Sequence, residues 1–153
     1  STYKGQKCGA FGDFGILSFN GNKIITTSGG GALVCNTEKD KQRAIYLATQ
    51  ARDNAAHYQH SEIGYNYRLT EFQLAIALAQ LEKVEDLIYW RKKSGKSITK
   101  LLHTSQLFTV QKTPSYIEHS YWCVGAKFNG TLNQWYEFRD SLYEECGERI
   151  FSK

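Results

Sequence analysis

Ser18 and Lys23 stand five residues apart, with Asn20-Gly21 between them and the run Ser28-Gly29-Gly30-Gly31 after them. A lysine amine is strongly hydrated and protonated in water. It becomes a nucleophile where its surroundings lower its pKa, and lysines form Schiff bases with carbonyl compounds in this way. An aldehyde cofactor that carries a phosphate needs such a lysine and also needs donors for the phosphate. A hydroxyl at a strand end supplies one donor, and the backbone N–H groups of glycine-rich turns supply others. The short spacing lets Ser18 and Lys23 face one pocket with no helix between them. A Ser, a Lys and three glycines are equally the makings of a flexible surface hairpin, and on spacing alone that bland reading is the commoner one. The glycines fit neither a GxxxxGK[ST] phosphate loop nor a GxGxxG dinucleotide fingerprint.

The elements around this stretch follow from local pattern. Residues 1–15 carry Gly5, Gly9, Gly12 and Gly15 at turn-like spacing. ILSF (16–19) and ALVC (32–35) read as short strands, and a helix is predicted from Thr37 or Glu38 to about Arg52. The segment ARDNAAHYQHSEIGYNYR is too polar and too aromatic for a core element, which puts it on the surface or in an interface. Thr70-x-x-Gln73 fits a capping box. The apolar series after it predicts a helix reaching Leu101 or Leu102, with Gly95 as a bend. Its two adjoining apolar faces predict burial on both sides or a link between domains. Strands are predicted at 107–112 and 119–129, a turn at Asn129-Gly130, and an amphipathic helix over 132–146. Tyr121, Trp122 and Phe128 read as packing residues.

The chain has 153 residues, 41% of them hydrophobic and 22% charged, enough for one domain with a core. Its net charge of +4 is mild. The densest basic cluster, Arg91 to Lys100, reads as the solvated end of a helix rather than a nucleic-acid face. No apolar run suggests a membrane span, and the start does not read as a signal peptide. Cys8, Cys35, Cys123 and Cys146 form no CxxC pair, and His57 and His60 lack a third ligand, so no metal site is expected. The thiols are read as reduced, in a cytoplasmic protein. The sequence begins with Ser and contains no Met, and it stops at RIFSK; the expectation is a piece of a longer protein.

The run GAFGDFGILSFNGNKIITTSGGGALVCN resembles the cofactor-lysine region of the DegT/DnrJ/EryC1/StrS family of pyridoxal-phosphate sugar aminotransferases. A second block, YQHSEIGYNYRLTEFQLAIALAQLEKVEDLIYWRKK, resembles that family's GYNYR segment and the helix after it, with its AxxxxQL. The two motifs occur in the family's order. TQAR (49–52) followed by HYQH further resembles members that act on UDP-linked 4-keto-6-deoxy amino sugars. Ser28 before the glycines, where the family has Glu, and Thr70-Glu71, where it has Ser before Asp or Asn, depart from the pattern without removing a catalytic atom.

The resemblance implies an α/β fold of the aspartate-aminotransferase type, fold type I. Residues 1–67 would be the later part of the large cofactor-binding domain, 68–102 a long connecting helix, and 103–153 part of a small C-terminal domain. It implies that Lys23 holds pyridoxal 5'-phosphate covalently and, once freed, carries the proton between substrate and cofactor carbons. Ser18 would hydrogen-bond the cofactor phosphate. Asn66 would reach across a homodimer interface to the phosphate of the partner's cofactor, and Arg68 would bind substrate, near a phosphate or the donor's carboxylate. The implied reaction moves an amino group from glutamate to a nucleotide-linked 4-keto-6-deoxy sugar, within polysaccharide biosynthesis. The family's ring-nitrogen carboxylate and upstream phosphate loop are expected before Ser1, so the 153 residues alone are expected to be inactive. Two alternatives stay open. One is a dehydratase relative, although such relatives carry His in place of the lysine. The other is a non-catalytic cofactor-binding sensor or assembly module.

Overall fold

The structure, a computed structural model, describes residues 1–146. Eleven elements follow in order: β1 (Thr2–Tyr3), β2 (Gln6–Lys7), β3 (Phe14–Ser18), β4 (Gly31–Cys35), α1 (Glu38–Ala48), α2 (Glu71–Leu81), α3 (Val84–Thr104), β5 (Phe108–Val110), β6 (Ile117–Glu118), β7 (Ala126–Phe128) and α4 (Leu132–Cys146). They make a mixed α/β arrangement with three small sheets, ordered β2-β1-β6, β3-β4 and β5-β7.

The strands β3 and β4 pair antiparallel from Phe14 opposite Cys35 to Ser18 opposite Gly31. This register puts Ser18 at the last rung, where the chain leaves the sheet for the loop that carries Lys23. β4 passes into α1 through Thr37, whose hydroxyl accepts the Asp40 N–H at 3.1 Å, with Glu38 and Asp40 in the positive first turn.

The predicted helix to Arg52 stops at Ala48, because Gln50 and Ala51 are left-handed, with φ of 71° and 50°. The last carbonyls of a helix lack partners inside it. Here Ile45 and Tyr46 accept from the Thr49 and Ala51 N–H groups, at 2.9 and 2.8 Å. Leu47 and Ala48 accept from Tyr65 and Tyr67, at 3.1 and 2.9 Å. The GYNYR segment is therefore stapled to the C-terminus of α1.

α2 opens with the predicted capping box: Thr70 accepts from the Gln73 backbone, and the Gln73 side chain accepts from the Thr70 N–H. The single helix expected from Thr70 to Leu101 is two helices. The break falls at Glu82-Lys83, where Lys83 bonds the Gln80 carbonyl three residues back at 3.2 Å. The chain runs helical through Gly95, which is buried against the Tyr121 ring rather than marking a bend.

Of the two expectations for these faces, burial on both sides is confined in α2 to Ala77; Phe72, Leu74, Leu78 and Leu81 are all exposed. The core is correspondingly small. Ala51, Ala77 and Val110 are its buried apolar residues, and Thr27 is buried with them.

The strand expected over 119–129 is reduced to Ala126–Phe128, which pairs with β5. β6 instead joins β1, with Thr2 opposite Glu118 and Tyr3 opposite Ile117, tying the N-terminal strand to the segment between β5 and β7. Phe108 and Phe128 of the β5-β7 pair pack against Trp135 and Phe138 of α4 in edge-to-face, tilted and stacked contacts, with centroids 5.4–6.1 Å apart. No helix among the described residues is long and apolar enough to cross a membrane.

Candidate functional site

The loop from Phe19 to Gly30 carries Lys23 and is closed on itself. Phe19 donates its N–H to the Gly30 carbonyl at 3.0 Å, and its own carbonyl accepts from the Thr27 N–H at 2.9 Å and the Thr26 hydroxyl at 3.2 Å. Inside this ring, Lys23 N–H bonds the Asn20 carbonyl at 3.0 Å, a turn that brings Lys23 back beside the end of β3. Ser18 and Lys23 therefore flank one turn, as their spacing implied. The Ser18 hydroxyl accepts weakly from Asn20 N–H, at 3.4 Å, and donates to no described residue. Gly30 has φ +82°, and a Cβ there would lie 2.2 Å from Leu69, so this glycine serves both the left-handed turn and the close approach of the chain entering α2.

Lys23 is half-buried, and its amine forms no ion pair among the described residues. It stands over the indole of Trp122, 3.6 Å from the ring centroid, and the Trp122 Nε1–H donates to the Asn22 carbonyl. Phe128 packs as the sequence leads one to expect, whereas Trp122, expected to pack likewise, lies against the lysine. A strained position delivers it there. Tyr121 has φ +54°, its ring fills the gap left by Gly95, and its N–H donates to His119 Nδ1 at 2.7 Å. No local pattern marks such a contact, because its partners are about a hundred residues apart.

The loop is also held from α2. Thr26 N–H donates to Gln80 Oε1 at 2.8 Å, and Gln73 Nε2 reaches the Thr27 carbonyl at 3.5 Å. Gln73 and Gln80 are seven residues apart and so share a helix face, with the buried Ala77 between them allowing close approach.

Asn66 and Arg68 form a second group. Asn66 bridges to Thr49 on the α1 end, and its Oδ1 accepts from Arg68 Nε at 3.0 Å and Arg68 N at 3.3 Å. The flanking Tyr65 and Tyr67 rings stack at 5.6 Å on the same side, which turns Asn66 the other way. Arg68 lines a polar cleft of about 450 Å³ with Gln50, Arg52, Asp53 and Tyr58. Asp53 is anchored there by hydroxyl donors from Ser61 (2.7 Å) and Tyr46 (2.8 Å), which hold its carboxyl below the usual carboxylate range. Arg43 pairs with Glu62, with one N–H···O at 2.7 Å, fastening the aromatic loop to α1. Among the described residues, neither Asn66 nor Arg68 hydrogen-bonds Ser18 or Lys23. Asn66 and Arg68 are thus hydrogen-bonded to each other, whereas Ser18 and Lys23 share a turn without a hydrogen bond between them among the described residues.

A larger apolar groove of about 940 Å³ lies between the β3-β4 face and α1; it touches Ser18 but not Lys23. Cys8, Cys35 and Cys123 are free thiols, and no cluster of metal-ligating side chains occurs among the described residues.

A model of the DegT/DnrJ/EryC1/StrS aminotransferase family matches residues 1–148. GDP-perosamine synthase of Escherichia coli O157:H7 is 38% identical over 150 residues, 98% of this chain and 39% of that one. EpsN of Bacillus subtilis, provisionally named a pyridoxal phosphate-dependent aminotransferase, is 55% identical over 92 residues, 60% of this chain and 24% of its own length. Among solved structures, the aminotransferase TlmJ of Streptoalloteichus hindustanus superposes with a TM-score of 0.81 at 20% identity, over 95% of this chain and 39% of that one. That likeness shows the fold: the chain has the α/β architecture of part of a fold type I structure. The chain spans about two fifths of the length of the relative that it matches end to end. Its matched residues, lysine loop and GYNYR staple included, place the chain in the DegT/DnrJ/EryC1/StrS aminotransferase family.

Proposed function

We propose that this chain carries the lysine and part of the phosphate site of a pyridoxal-phosphate-dependent aminotransferase acting on a nucleotide-linked sugar. The observation that carries the reading is the Lys23 amine, without an ion-pair partner among the described residues, on a turn shared with a hydroxyl that has its proton to give. Both fit the cofactor's chemistry. The amine suits an aldehyde, and the Ser18 O–H suits a phosphate oxygen. Bound pyridoxal phosphate supplies an electron sink for the carbon that loses its proton.

The chain's own residues would divide the remaining tasks. Ser18 holds the phosphate at the end of β3. Lys23 would hold the cofactor's aldehyde, and its amine Nζ would take up a proton and return it. Trp122 covers the amine and limits water on that side. Asn66 and Arg68 serve a second active site, in a homodimer whose partner brings its own Lys23. Support for this sharing comes from the exposed apolar faces of α2. Residues 1–67 then belong to the large domain and 103–153 to the small one, with the helices between them as the connection.

Glutamate is the proposed donor, and its carboxylates suit the Arg68 fork. The acceptor is a 4-keto-6-deoxy sugar on a nucleotide. The E. coli relative is named for a GDP-linked sugar, whereas TQAR and HYQH resemble members acting on UDP-linked sugars, and competition between the two nucleotides at the acceptor site separates them. The test of the reading is borohydride reduction of the full-length protein loaded with pyridoxal phosphate, followed by peptide mapping. The reduced adduct is expected on Lys23 and is lost in Lys23→Ala. Glutamate added before reduction should bleach the visible absorbance of the wild type. An adduct on another lysine, or none, would overturn the assignment. A stable adduct indifferent to amino donors would instead indicate a binding module.

A further inference from the structure

The AxxxxQL motif in α2 marks the family, yet its glutamine has no role in the reaction described above. We propose that Gln80 is a positioning residue for Lys23: its side-chain carbonyl fixes the Thr26 N–H, three residues beyond the lysine, and so sets where the ε-amine stands. The inference rests on the reading of Lys23 as the cofactor lysine.

Thr26 is the hub of the lysine loop. Its N–H goes to Gln80 at 2.8 Å, its hydroxyl donates to the Phe19 carbonyl at 3.2 Å, and the Thr26 Oγ1 in turn accepts the Ser28 N–H at 2.9 Å. Only the bond to Gln80 leaves the loop. It spans 54 positions of sequence and is partly buried, so water replaces it poorly. Gln73 adds a weaker tie one position on, through Nε2 to the Thr27 carbonyl at 3.5 Å, while its Oε1 accepts from the Thr70 N–H at 3.1 Å. Gln73 thus uses both ends of its amide, one for the helix cap and one for the loop. A glutamate there would keep the cap and lose the tie. Gln80 differs, because only its acceptor is engaged with the loop. A carboxylate at position 80 can replace the amide oxygen, and an apolar side chain of the same length cannot.

That asymmetry defines the experiment, carried out on the full-length protein with pyridoxal phosphate as the probe. Gln80→Met keeps the length of the side chain and removes the acceptor, whereas Gln80→Glu retains it. In Gln80→Met, Thr26 amide hydrogen exchange should rise by about tenfold or more, and affinity for the cofactor, read from its visible absorbance, should fall by about tenfold. Gln80→Glu should restore both to within about threefold of wild type. Gln80→Ala replaces the Met variant if circular dichroism shows the latter unfolded. Cofactor binding and Thr26 exchange unchanged in the folded Met or Ala variant would overturn the proposal, as would equal loss in Met and Glu. Failure of the wild type to form a reduced adduct on Lys23 would instead strike the functional reading, so the two failures are distinguishable.

Discussion

Replacing Gly95 by Ala separates two accounts of this residue. A glycine inside an exposed helix costs about 1 kcal/mol relative to alanine, so at a simple bend the substitution would stabilise α3 by about that amount. The structure gives Gly95 a different task. A Cβ at this position would lie 2.3 Å from Cγ and Cδ1 of Tyr121 and 2.5 Å from its Cβ. Ordinary carbon contacts lie at about 3.5–4.0 Å, so something must shift by more than 1 Å. Rotating the ring cannot clear the clash, because the Tyr121 Cβ itself is too close. The backbone of a residue already at φ +54° has to move. Overpacking of this kind costs about 1–3 kcal/mol, and the rigid contact puts the cost near the top of that range. Set against the helical gain, a net loss of about 2 kcal/mol is expected from urea unfolding. Trp122, the next residue, should also leave the Lys23 amine and alter its indole emission. A Gly95→Ala protein as stable as wild type, or about 1 kcal/mol more stable, would refute the argument and restore the bend.

Two further outcomes rest on separate contacts. Lys23→Met should change the tryptophan emission spectrum of the full-length protein, because the amine lies 3.6 Å from the Trp122 ring; in a Trp122→Phe background the same replacement should leave the spectrum unchanged. Asp53 is held below the usual carboxylate range by Ser61 first and Tyr46 second, so its contribution to stability is fully present above the ordinary value near 4 and is lost as pH falls through the lower folded value. Tyr46→Phe should move that loss toward higher pH, measured as the pH dependence of the urea midpoint. An unchanged profile would show that the Tyr46 hydroxyl does not act on this carboxyl.

What could be read in the chain was what neighbouring residues decide together. The cores of β3 and β4, the start of α1, the capping box of Thr70 and Gln73, and α4 all stand where their local patterns put them. The turn joining Ser18 to Lys23 belongs with these, since its span is five residues. The misplaced features have partners far away in sequence. α1 ends early at the left-handed Gln50 and Ala51, with its last carbonyls taken by Tyr65 and Tyr67, which nothing within residues 45–52 announces. The interruption at Glu82-Lys83 contains no Gly or Pro and keeps the apolar period, so no breaker signalled it. The two-residue strand β6 exists only through its pairing with β1, more than a hundred residues away. Trp122 and Gln80 belong to the same class. Their aromatic and amide side chains also suit a core or a helix surface, and only the fold shows that both meet the lysine loop.

On the proposed role of Lys23 as the cofactor lysine, this distribution has a physical cause. A side chain fixed by apolar packing is surrounded by atoms and leaves no room for a cofactor, so Lys23 cannot be positioned as a core residue is. Directional bonds to the backbone on either side can fix it while leaving the amine open. The loop uses them densely: Phe19, Asn20, Thr26, Thr27 and Gly30 all bond within it, and Gln73 and Gln80 tie it to α2. Its one fully buried side chain is the polar Thr27. Each of these bonds contributes only about 0.5–1.5 kcal/mol net, yet a partly buried N–H left without an acceptor costs more than that. The lysine loop should therefore tolerate changes in the size of its neighbours better than the loss of a single acceptor. That contrast sets Gln80→Met against Gln80→Glu, two side chains of nearly equal length of which only one can accept the Thr26 proton.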